Sequence, residues 1–263
     1  MSDKQTHEIG CCLMLLLRAA ESSLPEDKRL SNDPVSRAVL PWYLKPFLLP
    51  GLRQLVVAVT ECRDPGVYGN LVCRTRYIDE ALKDALSSGL DQVVIQAAGF
   101  DWRSYRIPDI EHTRLFEIDL PAVQTLTRKS LQKQYDKFNA HITLVLVDIN
   151  KQDPAVQLRA AGSDYGCRTF FIWEAVTQYI TAQAVDSSFG FISSAADPGS
   201  QVVFTNVHLG IIEGTVRSKT DKQPFSLAQQ GGVPWMIGLD PSEGQSYLAE
   251  RGFEFIEEVW TPV

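Results

Sequence analysis

The stretch from Gln92 to Asp119, QVVIQAAGFDWRSYRIPDIEHTRLFEID, constrains the fold more than any other part of this 263-residue chain. A short apolar run (Val93, Val94, Ile95) leads into Ala97, Ala98 and Gly99, then a polar segment, then a second apolar run ending at Glu117 and Asp119. Apolar runs of this length bounded by small residues read as buried strands, and small residues at a strand tip let another group approach the backbone. A carboxylate about 20 residues beyond such a turn stands where nucleotide-binding α/β units accept ribose hydroxyls. The plainer reading is an ordinary strand–helix–strand turn with a surface acid.

The residues just after the first strand constrain the kind of nucleotide. A dinucleotide site calls for G-x-G-x-x-G opening a helix, whose N-terminus takes the pyrophosphate. Here Ala97-Ala98-Gly99-Phe100-Asp101-Trp102 holds one glycine, and no Tyr-x-x-x-Lys pair is present. That disfavours NAD and FAD and favours a nucleotide without phosphate, of which S-adenosyl-L-methionine is the commonest.

The rest of the chain repeats the alternation. LVCRTRYIDEALKDALSSGL has helical apolar spacing at Ile78, Leu82 and Leu86 and stops at Gly89. Further strands are expected at 142–148, 169–174, 201–207 and 253–260, with helices over about 181–195 and 242–251. Alternating strands and helices imply a mostly parallel sheet with helices on both faces. Gly99, Asp119, Asp148 and Glu174 close four successive strands, and ligands of such sheets lie beyond those carboxyl ends.

Bulk properties exclude several classes. A net charge of −7 argues against a nucleic-acid partner, which calls for a basic face. The five cysteines are odd in number and show no C-x-x-C spacing, which predicts neither a disulfide framework nor a metal site and suits a cytoplasmic location. CCLMLLLRAA (11–20) is too short to span a bilayer and reads as an amphipathic helix, so no membrane partner is expected. Five prolines between Pro25 and Pro50 mark a mobile helical cap. We therefore read a single domain over 1–263, with cap and lead-in helix at 1–90 and an α/β core at 91–263.

Several motifs in order carry a resemblance. VVIQAAGFDWRSYRI followed by LFEIDLPAVQTLTRKSL resembles the leucine carboxyl methyltransferase family, including its bacterial polyketide O-methyltransferase-like branch. Those proteins show a G-A-G-x-D-x-R-x-x-R-like turn and a V-D-x-P strand end. CRTRYIDEAL, FFIWEAVTQYITAQAV, LLLRAAESS and NDPVSRAVL extend the likeness over nearly the whole chain.

The resemblance implies a Rossmann-like class I fold and S-adenosyl-L-methionine-dependent O-methylation of a small-molecule acceptor, a carboxylate or a hydroxyl, in secondary metabolism. It implies Arg74 beside the methionine carboxylate, Glu174 beside its ammonium group, Asp148 with Ile149 at the adenine, and Asp119 on the ribose. Glu117 is the lesser ribose candidate. Tyr179 is implied at the methyl path or the acceptor. A hydroxyl acceptor would profit from a base, for which His208 after the fifth strand is the best placed. Arg103, Arg106 and Asp101 read as a structural network, and GGVPW (231–235) as a turn near the pocket mouth.

Two departures keep another reading open. Ala97 replaces the first glycine of the family turn, harmlessly at negative φ and with strain at positive φ. Family members also continue to a seventh, antiparallel strand, whereas this sequence ends after FEFIEEVWTPV. An uncovered edge invites pairing with a second copy and points to a homodimer. The alternative function is a non-methylating descendant: a cofactor-binding module, or an enzyme of cyclisation or rearrangement.

Overall fold

The computed structural model describes residues 3–132, 141–149, 151–216 and 235–260. The chain divides into two compact units, one of residues 1–79, 213–234 and 259–263, the other of 80–212 and 235–258.

Four helices make up the described part of the first unit: α1 (Asp3–Ser22), α2 (Pro34–Val39), α3 (Pro50–Arg63) and the start of α4 (Val67–Ser87). Leu17 of α1 forms a small core with Val67 and Leu71 of α4, against which Met14 and Val56 pack. Asp33 caps α2 by accepting the Ser36 N–H at 3.0 Å, and Pro34 takes a first-turn position where its missing N–H costs nothing. The buried Glu21 carboxylate accepts the Leu30 N–H at 2.5 Å and the Tyr68 hydroxyl. Burial, reinforced by that carboxylate, pushes the Tyr68 pKa far up. Helix α3 escapes the sequence reading because prolines crowd its start, yet Pro50 stands in its first turn, where proline is tolerated.

The second unit is an α/β sheet. Its strands are β1 (Gln92–Gln96), β2 (Arg114–Asp119), β3 (Ile142–Leu146), β4 (Thr169–Trp173) and β5 (Gln201–Phe204). They lie in the order β3-β2-β1-β4-β5, every neighbouring pair parallel. Between them run α5 (Arg103–Arg106), α6 (Pro121–Gln132), α7 (Pro154–Ala160) and α8 (Ala182–Ala195); α9 (Leu209–Ile212) and α10 (Gly244–Ala249) come after β5. β1 and β4 are buried along their whole length, as expected of central parallel strands covered on both faces. Val94, Phe116, Ile118 and Phe171 pack on one face against Leu158 of α7 and Phe191 and Ile192 of α8. On the other face Ser104 of α5 reaches Glu117. The strand order reverses at β1 and β4, which makes their carboxyl ends the switch point where such sheets take ligands.

One expected strand is absent. Residues 253–260 join no ladder among the described residues. Phe253 anchors the segment, its ring centroid 5.5 Å from that of Phe189 at the centre of an aromatic group with Trp173 and Phe204. Beyond it Ile256 is exposed. The alternation that reads as a strand reflects one anchored ring and acidic neighbours, and a strand needs a hydrogen-bonded partner as well as a pattern. The sheet has five strands among the described residues.

Candidate functional site

The turn after β1 is held by the carboxylate at the end of β2. The Gly99 N–H donates to Asp119 Oδ2 at 2.6 Å and the Leu120 N–H to Oδ1 at 2.6 Å. The Ala98 N–H continues the ladder to the Ile118 carbonyl at 3.1 Å, and Thr127 Oγ1 of α6 donates to the Gly99 carbonyl at 2.9 Å. Ala97 has φ +50° and Gly99 φ +51°. Left-handed backbone suits the glycine and strains the alanine, so the substitution that departs from the family turn is the costly kind.

Asp101 and Arg103 tie this turn to β4. The Arg103 N–H donates to Asp101 Oδ1 at 2.9 Å, which caps the start of α5. Arg103 Nη1 donates to Asp101 Oδ2 at 2.5 Å and to Glu174 Oε2 at 2.7 Å, with the arginine side chain 1% exposed. The structural network read at Asp101 and Arg103 is present, and it extends to Glu174. That carboxylate, implied as the partner of an ammonium group, already serves a guanidinium. Ala175 comes next at φ +58°, its N–H held by Thr205 Oγ1 at 2.7 Å.

Glu117 has a different state. It is 3% exposed and accepts the Ser104 hydroxyl at 2.7 Å. Burial, reinforced by the negative charges of Asp101 and Asp119 and opposed by the Ser104 bond, pushes its pKa up to about 8. A neutral, buried carboxyl suits the strand interior and ill suits a ribose partner; Asp119, at the strand end, is the better placed one.

Sequence reasoning missed Gln96. This last residue of β1 is 1% exposed, and neither its Oε1 nor its Nε2 has a hydrogen-bond partner. The register that pairs Ile95 with Ile172 sets Gln96 abreast of Trp173, whose indole Nε1 is buried without a partner too. Buried polar groups are nearly always satisfied, so orphaned donors and an acceptor at the switch point mark where a polar guest fits. The available signal was a glutamine closing the otherwise apolar run VVIQ.

The other candidates are placed unevenly. Asp148 stands just past β3, which is laced to Asp119 by the Val147 N–H donating to the Asp119 carbonyl at 3.0 Å. Its Oδ2 pairs with exposed Lys151 at 2.8 Å, while Ile149 packs against two apolar clusters of this unit. Tyr179 ends the short 3-10 turn Thr177–Tyr179 and meets Trp235 edge to face, centroids 6.4 Å apart. His208 Nδ1 accepts the Gly210 N–H at 2.9 Å. That bond places the proton of a neutral imidazole on Nε2, so the ring caps its own turn and offers Nε2 as a donor, the wrong polarity for a base at that nitrogen. Arg74 belongs to the first unit, on α4, where its Nη1 donates to Asn70 Oδ1 at 3.1 Å. Residues 231–234 of the expected GGVPW turn lie outside the described residues. Asp109, Glu111 and His112 bring ligand atoms within 4.8 Å of one another, all on exposed side chains at the opposite end of β2 from Asp119.

The residues at the strand ends fit S-adenosyl-L-methionine. They comprise a carboxylate at the end of β2 that clasps the turn after β1 (Asp119), an apolar neighbour past β3 (Ile149), and an orphaned amide and indole N–H at the ends of β1 and β4.

Known proteins resemble this chain in sequence and in fold. The family model described as leucine carboxyl methyltransferase matches residues 11–193. A Mycobacterium marinum protein with the provisional name of S-adenosyl-L-methionine-dependent methyltransferase is 32% identical over 194 residues, covering 71% of this chain and 59% of its own. A Streptomyces coelicolor protein with the same provisional name is 31% identical over 185 residues, covering 70% and 62%. The matched stretch thus spans about three fifths of those relatives. A solved structure from Thermobifida fusca, provisionally titled a methyltransferase, superposes with TM-score 0.51 at 16% identity, over 89% of this chain and 79% of that one. That likeness is one of fold.

Proposed function

The chain belongs to the leucine carboxyl methyltransferase family, and from that premise we propose that it is an S-adenosyl-L-methionine-dependent O-methyltransferase. Its acceptor is a small organic molecule of secondary metabolism, methylated on a carboxylate or a hydroxyl, and its place is the cytoplasm. The observation that carries this reading is the joint between Gly99 and Asp119, a glycine-tipped turn clasped by the carboxylate of the next strand.

When bound, S-adenosyl-L-methionine supplies an electrophilic methyl group on a sulfonium. The chain's contribution is to bind, orient and exclude water. Asp119 would accept the ribose hydroxyls, and Ile149 would pack the adenine while Asp148 would accept its amino group. Gly99 leaves the turn open to the ligand, with the Ala97 methyl group narrowing it. Glu174 would take the ammonium group beside Arg103. Tyr179 orients the acceptor oxygen through its hydroxyl. His208, held as a donor at Nε2, polarises rather than deprotonates. A carboxylate acceptor is already ionised at neutral pH and needs no base.

Ala97 favours one other reading. An alanine strained at φ +50° in the turn places a methyl group where a glycine would leave room. This supports a non-methylating descendant that keeps the cradle for binding, cyclisation or rearrangement.

Calorimetric titration with S-adenosyl-L-methionine and S-adenosyl-L-homocysteine separates the cases. Micromolar binding of both, together with appearance of the demethylated product on incubation with carboxylate and phenol acceptors, supports methyl transfer. Binding without turnover supports the descendant. A folded protein that binds neither nucleotide overturns both.

A further inference from the structure

The exposed apolar side chains of the first unit are concentrated in one stretch. Trp42 is 81% exposed, and Tyr43 and Leu49 are exposed beside it in sequence. Leu52, Leu55 and Val59 of α3 come next, all exposed, at spacings of three and four that put them on one helical face. The inward side of α3 carries Val56, packed against the Leu17, Val67 and Leu71 core, together with Arg53, whose Nη1 donates to the Ser23 carbonyl at 2.7 Å, and buried Thr60. The helix is therefore apolar on two sides, with Val56 packed inward and a second aliphatic stripe left outward. A contiguous apolar face of this kind marks an interaction surface.

The charge around it selects the partner. Apart from Arg53, which is turned inward, residues 37–63 hold Arg37, Lys45 and Arg63 against the single acid Glu61, in a chain whose net charge is −7. Two copies facing each other through this stretch would bring like charges together, which disfavours self-association. Tryptophan and tyrosine beside basic residues and an apolar helical stripe are what an interfacial helix presents to lipid. No described helix is long and apolar enough to cross a membrane, so the helix would lie on the surface and not span it.

We propose that this face docks on an anionic lipid bilayer. In that arrangement α3 lies in the interface plane with Leu52, Leu55 and Val59 in the acyl boundary, Trp42 and Tyr43 at the headgroups, and Lys45 and Arg63 against anionic phosphates. The inference is independent of the proposed chemistry, because it uses no residue of the candidate site.

Vesicle flotation of the full chain provides the test, with phosphatidylcholine alone and with equal parts phosphatidylcholine and phosphatidylglycerol. The expected result is binding to the mixed vesicles, weakened at least about tenfold by removing the anionic lipid or raising the salt. Trp42→Phe is expected to abolish the blue shift of tryptophan emission that accompanies binding. Leu52→Glu/Leu55→Glu, at exposed positions, is expected to abolish binding with an unchanged melting temperature. Absence of binding to mixed vesicles, or equal binding by the double variant, overturns the proposal. So does a wild-type dimer in sedimentation that the double variant converts to monomer, which would give the face to a second copy.

Discussion

Gly99 and Asp119, 20 residues apart, are joined by a 2.6 Å hydrogen bond from the glycine N–H to the carboxylate Oδ2. The same side chain holds the Leu120 N–H through its other oxygen. One carboxylate therefore fixes both the turn it faces and the start of the helix beyond it.

Asp119→Ala removes two charge-assisted bonds and is expected to cost about 2–4 kcal/mol of stability. Nucleotide binding is expected to disappear with it. Asp119→Asn keeps the size and one acceptor, so it should melt between the two while still binding at least about tenfold more weakly. Urea denaturation and calorimetry on the three proteins check this; full affinity in a folded Asp119→Ala protein would remove Asp119 from the site.

Ala97→Gly relieves an alanine held in left-handed backbone and is expected to stabilise the fold by about 1 kcal/mol. The same change opens the turn, so nucleotide affinity should rise or hold. A lower melting temperature would mean the Ala97 methyl contributes packing that outweighs its strain.

Arg103→Met leaves Asp101 and Glu174 buried without their cation and is expected to destabilise by about 3–5 kcal/mol. Adding Glu174→Gln should recover part of that loss, because one uncompensated charge disappears. Arg103→Lys cannot serve both carboxylates in a planar fork and should fall between. A double variant no better than the single one would show that Glu174 is not coupled to Arg103.

Glu117 confers a pH dependence whose sign is set by the direction of its shift. Its folded pKa is raised from 4.5 to about 8, so between those values the folded state binds the proton and the unfolded state does not. Stability from this group is full below the lower value, declines by about 1.4 kcal/mol per pH unit across the window, and is flat above it. Glu117→Gln, neutral at every pH, should remove that slope. Urea melts from about pH 5 to about pH 9 measure it; an unchanged slope in the variant would assign the dependence elsewhere.

Gln96→Leu exchanges an unpartnered buried amide for an apolar side chain and is expected to raise stability by about 1–3 kcal/mol. If ligand takes up that amide, affinity for S-adenosyl-L-homocysteine falls in the same variant. Thermal melts with and without the nucleotide read both effects, and a destabilised variant would show that the amide is satisfied in solution.

Much of this molecule is legible in linear sequence. The runs QVVIQ, RLFEID, ITLVL, TFFIW and QVVF become five parallel strands, and the spacing of Ile78 and Leu82 becomes α4. Thr181 caps α8 where a helix was expected, because capping and periodicity involve neighbours a few residues away. That Asp119 and Asp148 close adjacent strands comes from the same alternation.

What the sequence could not supply depends on partners distant along the chain. The left-handed backbone at Ala97 stands in a turn anchored by Gly99 to Asp119, and no property of alanine announces it. Arg103 and Glu174 are 71 residues apart, and only the β1–β4 pairing brings them together. Glu117 and Asp119 are both acids of one strand, yet burial, reinforced by nearby negative charge, favours the neutral form of the first while backbone donors hold the second. FEFIEEVW has the alternation of a strand and lacks a ladder, since a pattern specifies which side faces inward but not whether a partner is there. The sequence determined the succession of elements and the acids at their tips. Tertiary structure decided charge, strain and pairing, because desolvation and hydrogen bonding are set by whatever the fold brings alongside.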